Sequence, residues 1–250
     1  MKKFLILVIS GLIITSVMLT GCGNNVENNV ENGVENNIQN GVEDNSEKSD
    51  EQGIKRLTNC LALTKEVDSL EANLISESKA NGQSSTSKMN MKFEGIKSSL
   101  KCLATFEIAG QTQEYYMTKD NGKIKMYLKD QSGKYTVNEI DQAQAGNSDI
   151  NESFNAYIDI IENNPDMISK IDGNTYELDI PKEKSSEIYS KIAGNGVSMN
   201  FETLKINFVV GDDGYLKSMI LKAKSESVDI DSKTDYFNYN KKFNIVLPEV

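Results

Sequence analysis

Apolar and polar residues alternate with period two along most of the chain beyond residue 69, the pattern of strands that bury one face. Leu70, Ala72 and Leu74 sit opposite Glu71, Asn73 and Ile75. Met89, Met91 and Phe93 alternate with Lys88, Asn90, Lys92 and Glu94, and Leu100, Cys102, Ala104, Phe106 and Ile108 alternate with Lys101, Thr105 and Glu107. Further strands are predicted at about 112–119, 123–129 and 134–138. A hairpin at about 167–180 follows, then three long strands. Leu204, Ile206 and Phe208 mark the first, Met219, Leu221 and Ala223 the second, and the third runs from about Val228 to Tyr239. Asp120-Asn121-Gly122, Asp172-Gly173-Asn174 and Asp212-Asp213-Gly214 fall between strand-like runs and supply residues that tolerate the positive φ of tight hairpins.

Three segments switch to the 3.6-residue period of a helix. Ile54, Leu57, Leu61 and Thr64, with Cys60 alongside, predict a helix ahead of the strands. Phe154, Tyr157, Ile158 and Ile161 share one helical face that Asn163-Asn164-Pro165 terminates. Pro181 suits the start of a third helix, carrying Ile188, Tyr189 and Ile192. About eleven mostly sequential strands, one leading helix and an inserted helical pair define an α+β domain around a large antiparallel sheet. This domain is expected to occupy residues 51–250.

Residues 1–50 read differently. Lys2 and Lys3 precede an apolar run from Phe4 to Leu19, the layout of a secretory signal. The run ends in Leu19-Thr20-Gly21-Cys22, which resembles the lipobox of bacterial lipoproteins. That resemblance implies a signal peptide over 1–21, cleavage before Cys22 and diacylation of the Cys22 thiol. The protein would then be anchored by lipid at the outer face of the cell membrane, and two acyl chains give stable attachment. An uncleaved transmembrane helix is the competing reading of residues 4–21, but such a helix has no need of a small residue followed by Cys at its outer end. From Val26 to Asn45, tetrads of the Val-Glu-Asn-Asn type repeat five times. A four-residue period drifts around a helix and half its positions favour turns, so residues 22–50 read as a lipidated cysteine followed by a disordered tether. The 28 residues from Gly23 to Asp50, at ~5–6 Å × √28, give roughly 30 Å of reach.

Composition narrows the chemistry. The 250 residues include no histidine and no tryptophan, and 27 Lys and Arg stand against 37 Asp and Glu. Without histidine there is no Ser-His-Asp or Cys-His nucleophile pair and no His-ligated zinc. A net charge of −10 offers no electrostatic footprint for nucleic acid. Asp229, Asp231 and Asp235 miss the spacing of a calcium loop, and no closing Glu follows. No cofactor or catalytic constellation emerges, so the sequence reads as non-catalytic. Besides Cys22, the chain has Cys60 and Cys102. A disulfide between them is chemically permitted outside the membrane, yet both fall on apolar faces, and two small buried hydrophobes is the simpler reading.

The order of elements resembles the LolA-like and LppX/LprG-like lipoproteins, in which a strongly curved sheet forms a half-barrel closed by helices. Four features carry the resemblance. They are the lipobox with its polar tether, the run Met89 to Gly95, the hairpins from Glu114-Tyr115-Tyr116 through Lys125 to Asp130 and Gly133-Lys134-Tyr135, and the ending Asp235 to Asn240 followed by Phe243 to Pro248. Where such proteins tend to carry tryptophan after the glycine-containing hairpin, this chain has Tyr135. The resemblance implies a cavity for the acyl chains of a lipid or lipoprotein between the sheet and the helices. Leu74, Met89, Met91, Phe93, Leu100, Cys102, Phe106, Met126, Leu204, Ile206, Phe208 and Met219 are the residues expected to line it. Five of the nine methionines (Met89, Met91, Met117, Met126 and Met219) fall in strands, and thioethers suit a surface that accepts variable apolar ligands. The same residues would equally fill an ordinary core. Two functions therefore stand: a membrane-anchored module that holds a hydrophobic ligand, and an envelope interaction or sensing domain with a filled core.

Overall fold

The structure, a computed structural model, describes residues 47–48, 51–80, 82–108, 110–130, 132–141, 150–193 and 199–250. The segment read as a signal peptide, Cys22 and all but Glu47 and Lys48 of the stretch read as a tether lie outside them. The elements run β1 (Glu47–Lys48), α1 (Glu51–Lys65), β2 (Ser69–Ala80), β3 (Gln83–Glu94), β4 (Lys101–Ile108), β5 (Gln111–Asp120), β6 (Lys123–Lys129) and β7 (Tyr135–Asp141). Helix α2 (Ile150–Asn163), a 3-10 turn (Pro165–Met167), β8 (Ile168–Lys170), β9 (Thr175–Ile180), α3 (Lys182–Ala193), β10 (Thr203–Val210), β11 (Leu216–Lys224) and β12 (Val228–Phe237) complete the chain.

Twelve strands form one open antiparallel sheet in the order β1-β8-β9-β10-β11-β12-β2-β3-β4-β5-β6-β7. Neighbours in sequence are neighbours in space except at two places. One is the pairing of β1 with β8, Glu47 opposite Lys170 and Lys48 opposite Ser169, which makes a two-residue strand within the 22–50 stretch expected to be disordered. Two residues are too few to show alternation, so this twelfth strand left no pattern to read. The other is the seam of β12 against β2, ten residue pairs long, from Val228 opposite Ala80 to Phe237 opposite Glu71. The architecture is the α+β fold of a large antiparallel sheet with three helices that the alternation predicts.

Local chemistry accounts for the turns. Asn121 and Gly122 take φ of 50° and 73°, the two positive values that a tight two-residue hairpin requires. Asp172 turns β8 into β9 by accepting the backbone N–H groups of Asn174 and Thr175 on Oδ1 at 3.2 and 3.0 Å.

The helices lie over the half of the sheet that includes β9, β10 and β11. Helix α1 packs on α2 and touches β10 and β11, while α3 covers β9 and β10. Leu57, Cys60, Leu61 and Thr64 are the buried stripe of α1, and Phe154, Tyr157, Ile160 and Ile161 that of α2. On α3, Ser185 holds the approach to β10: it accepts the N–H of Phe201 at 3.1 Å, which packs Phe201 edge-on to Tyr189 at 4.8 Å. Cys60 and Cys102 are both free and buried.

After β12 the chain crosses the ends of β2, β3 and β4. The N–H of Asn240 donates to Ser69 O at 2.8 Å, and the N–H of Asp68 donates to Asn240 Oδ1 at 3.0 Å. Further on, the N–H of Ile245 donates to Glu94 Oε2 at 3.0 Å. Asn238, Asn240 and Asn244 adopt φ of 55°, 57° and 55°, the left-handed region that asparagine tolerates better than most residues.

Candidate ligand-binding face

Cross-strand register sorts the inward side chains into rows. One row reads Tyr176, Phe208, Met219, Thr234, Leu74, Met89 and Phe106 across seven strands. A second reads Leu70, Phe93, Cys102, Met117 and Met126. Between them lie Tyr236, Ala72, Met91, Ala104 and Tyr115. On the far side of the first row, Leu204 and Ile206 continue the face of β10. Of the twelve residues expected to line a cavity, eleven therefore project from strands onto one face. All of these are buried except Phe106, which packs half-buried against the others. Leu100 is the exception in position, lying just before β4.

Burial governs the chemistry of this face. Desolvation pushes the Cys60 and Cys102 thiols up to about 12 from an ordinary 9.0, so both stay protonated. The Tyr115 hydroxyl, also raised by desolvation, donates to Met89 Sδ at 3.4 Å. Among the described residues, the buried non-aromatic polar side chains are all serine or threonine, and no charged side chain is buried.

The opposite face carries the charges in paired form. Lys205 meets Glu177 at 3.0 Å and Asp179 at 3.1 Å, and Lys222 faces its register partner Asp231 at 3.8 Å. Asp235 pairs with Lys233 at 3.0 Å. Two of the three aspartates whose spacing misses a calcium loop, Asp231 and Asp235, thus pair with lysines on the solvent side. Such exposed pairs add little stability.

Among the described residues, three grooves that open to the outside bear on this face. The first, about 660 Å³, lies between the Ile96–Leu100 turn, the β5–β6 hairpin and Leu247. A second, about 720 Å³, runs beside the stacked rings of Tyr215 and Tyr239, and a third, about 430 Å³, crosses β12, β2 and β3 at Ser78 and Ser85. Of the twelve expected lining residues, Leu100 alone borders one of these three. The other eleven meet one another and the helices; Phe208, for example, takes the edge of Tyr157 at 5.4 Å.

The sequence reading passed over the hydroxyl groups of this face. Ser76, Ser78, Ser87, Ser232 and Thr234 are all buried, at the middle of the inner face. The signal was available: Ser76 and Ser78 continue the inward phase of Leu70, Ala72 and Leu74. A hydroxyl in an apolar phase adds nothing to a pattern of hydrophobic positions, so the alternation alone does not mark it as buried.

No family model matches the chain, and no curated protein matches it. Among solved structures, the Mycobacterium tuberculosis lipoprotein LppX is 12% identical with a TM-score of 0.45, covering 79% of this chain and 100% of its own. LprF from Mycobacterium bovis is also 12% identical, with a TM-score of 0.43, covering 81% of this chain and 99% of its own. A putative outer membrane lipoprotein-sorting protein domain from Vibrio parahaemolyticus is 10% identical, with a TM-score of 0.38, covering 78% of this chain and 94% of its own.

Proposed function

We propose that this protein is an extracytoplasmic lipoprotein, anchored to the cell membrane through Cys22, whose 51–250 domain holds a lipid or acyl chain against the inner face of its sheet. The observation that carries the reading is the inner face itself. Its apolar rows extend from β9 to β6, broken only by the buried hydroxyls on β12, β2 and β3, and reach well beyond β9–β12, where the three helices pack. Five of its residues are methionines, Met89 and Met91 on β3, Met117 on β5, Met126 on β6 and Met219 on β11, whose flexible thioethers adapt to a variable apolar partner. A non-catalytic role fits the same face. Its buried thiols are protonated, the chain has no histidine, and the ion-paired carboxylates named above lie on the solvent side.

The test is native mass spectrometry of the detergent-solubilised full chain, followed by organic extraction of whatever lipid accompanies the protein. The expected result is a stoichiometric apolar adduct on the intact domain. An adduct-free protein that also fails to take up added fatty acyl probes would favour the other reading, an envelope interaction domain with a filled core. The seating of Tyr157 on Phe208 supports that reading locally.

A further inference from the structure

The groove of about 660 Å³ lies at the rim where the inner face ends. Register pairs Cys102 with Met117 and Met117 with Met126. One step further in the same inward phase come Leu100, Lys119 and Ile124. The N–H of Lys119 donates to Leu100 O at 3.1 Å, and Lys119 lies opposite Ile124. Leu100 and Lys119 border the groove from this row, whereas Thr118, Lys125 and Tyr127, of the opposite phase, border it from the outer side. The groove thus straddles the edge at which the apolar rows of β4, β5 and β6 meet solvent.

Its walls are held in place by hydrogen bonds. In the 96–100 turn, the N–H of Ile96 donates to Asp68 O and that of Ser98 to Gly95 O, both at 3.0 Å. The hairpin at Asn121 and Gly122 forms the second wall. Leu247 forms the third, two residues beyond Ile245, whose N–H donates to Glu94 Oε2 at 3.0 Å and whose carbonyl accepts Lys101 Nζ at 3.4 Å. Walls fixed in this way spare a ligand much of the cost of ordering its site.

The polar lining is cationic and rich in hydroxyls. Lys97, Lys119 and Lys125 stand against one acid, Asp120, in a chain whose net charge is −10. Ser98, Ser99 and Thr118 add hydroxyl donors beside them. Lys97 also meets Glu66 at 2.9 Å, and Lys125 approaches Glu139 at 4.0 Å. Both pairs are exposed and contribute little, so an anion that gathers several donors at once competes with them. A phosphate, with three acceptor oxygens and more than one negative charge, uses such a set more fully than a carboxylate does.

We propose that this rim groove receives the phosphate headgroup of an anionic glycerolipid, held by Lys97, Lys119 and Lys125, while the acyl chain passes Leu100 onto the row of Cys102, Met117 and Met126. This rests on the reading that the inner face holds lipid. It adds the headgroup class and the end of the sheet at which the lipid enters.

The experiment uses the full chain in a non-ionic detergent with three probes: 1-oleoylglycerol 3-phosphate, 1-oleoylglycerol and glycerol 3-phosphate. Wild type is expected to hold the phosphorylated lipid about tenfold more tightly than 1-oleoylglycerol, the worth of one charge-assisted hydrogen bond. Raising salt from about 0.05 M to about 0.5 M should narrow that ratio, since the lysines are open to solvent. The K97Q/K119Q/K125Q variant is expected to lose the preference while its affinity for 1-oleoylglycerol stays within about twofold, which also reports that it is folded. If that variant loses 1-oleoylglycerol as well, K97Q, K119Q and K125Q are read singly in its place. K222Q/K224Q removes lysines that border the groove across β12, β2 and β3 and is expected to keep the preference. A wild type without the preference, a preference that survives in the triple variant and in each single one, or one lost equally in K222Q/K224Q overturns the headgroup site alone. Glycerol 3-phosphate that binds as tightly as the phosphorylated lipid overturns it too, in favour of a site for soluble phosphates. If wild type binds neither lipid, the lipid-holding reading itself fails.

Discussion

Thr64 and Leu216 are 152 residues apart in sequence, yet the N–H of Leu216 donates to Thr64 Oγ1 at 2.9 Å in the interior. The same hydroxyl donates to Cys60 O at 2.8 Å within its own helix, so one side chain closes the end of α1 and fixes where β11 begins. Tyr239 donates its hydroxyl to Leu216 O from the other side. Replacing Thr64 by Val leaves the Leu216 N–H buried and unpaired. Thr64→Val is expected to destabilise the domain by about 1–3 kcal/mol, and Thr64→Ser by less than about 1 kcal/mol. Urea denaturation followed by circular dichroism measures both.

The two buried thiols predict a pH dependence. Each is raised from 9.0 to about 12 in the folded chain. Below pH 9 the thiols are protonated in both folded and unfolded states and contribute no slope. Between about 9 and about 12 the unfolded chain releases these protons while the folded chain retains them, so stability falls as pH rises. Urea midpoints should therefore decline through this window, and Cys60→Ala with Cys102→Ala should make the decline shallower, the remainder coming from buried tyrosines raised in the same way. A thiol reagent should leave the native protein unlabelled and modify both positions only after denaturation. Rapid labelling of the native fold would contradict this.

Gly95 and Gly110 both have positive φ, 70° and 74°, but only the first is crowded. A Cβ on Gly95 would lie 2.6 Å from the carbonyl oxygen of Ser99, whereas one on Gly110 would meet nothing within 4 Å. Gly110→Ala is expected to cost about 1 kcal/mol, the left-handed penalty alone. Gly95→Ala should cost about 2–4 kcal/mol, because backbone must also move. Equal losses in thermal melts of the two variants would show that the Ser99 turn yields freely.

The anchor has its own outcome. Cys22→Ala is expected to shift the protein from the membrane fraction to the medium, or to leave unprocessed precursor carrying residues 1–21. Unchanged processing and attachment would count against lipidation at Cys22.

Much of the fold was legible in the sequence because burial on a sheet leaves a period of two. Leu204, Ile206 and Phe208 announced their shared face by spacing alone, and all three are fully buried. Strand order was legible only where strands are consecutive. Nothing in Val228–Phe237 or Ser69–Ala80 states that they pair, since register between distant strands is a property of the closed sheet. The apolar part of the candidate site was visible for the reason the strands were. Its polar part was not: Ser76, Ser87 and Ser232 carry no hydrophobic signal, and only the register of three strands brings them side by side. The bond from Leu216 to Thr64 is hidden in the same way.

The seam between β12 and β2 also constrains how the molecule is made. The two strands at the centre of the sheet are the first long strand of the domain and the last. Half of β2's hydrogen bonding therefore waits until residue 237 is available, and the largest loop in the chain must close before the middle of the sheet exists. Closing a loop of this length costs entropy before any contact rewards it, which makes folding slow and non-local. A chain truncated before β12 would expose β2 as a long bare edge open to pairing with other chains.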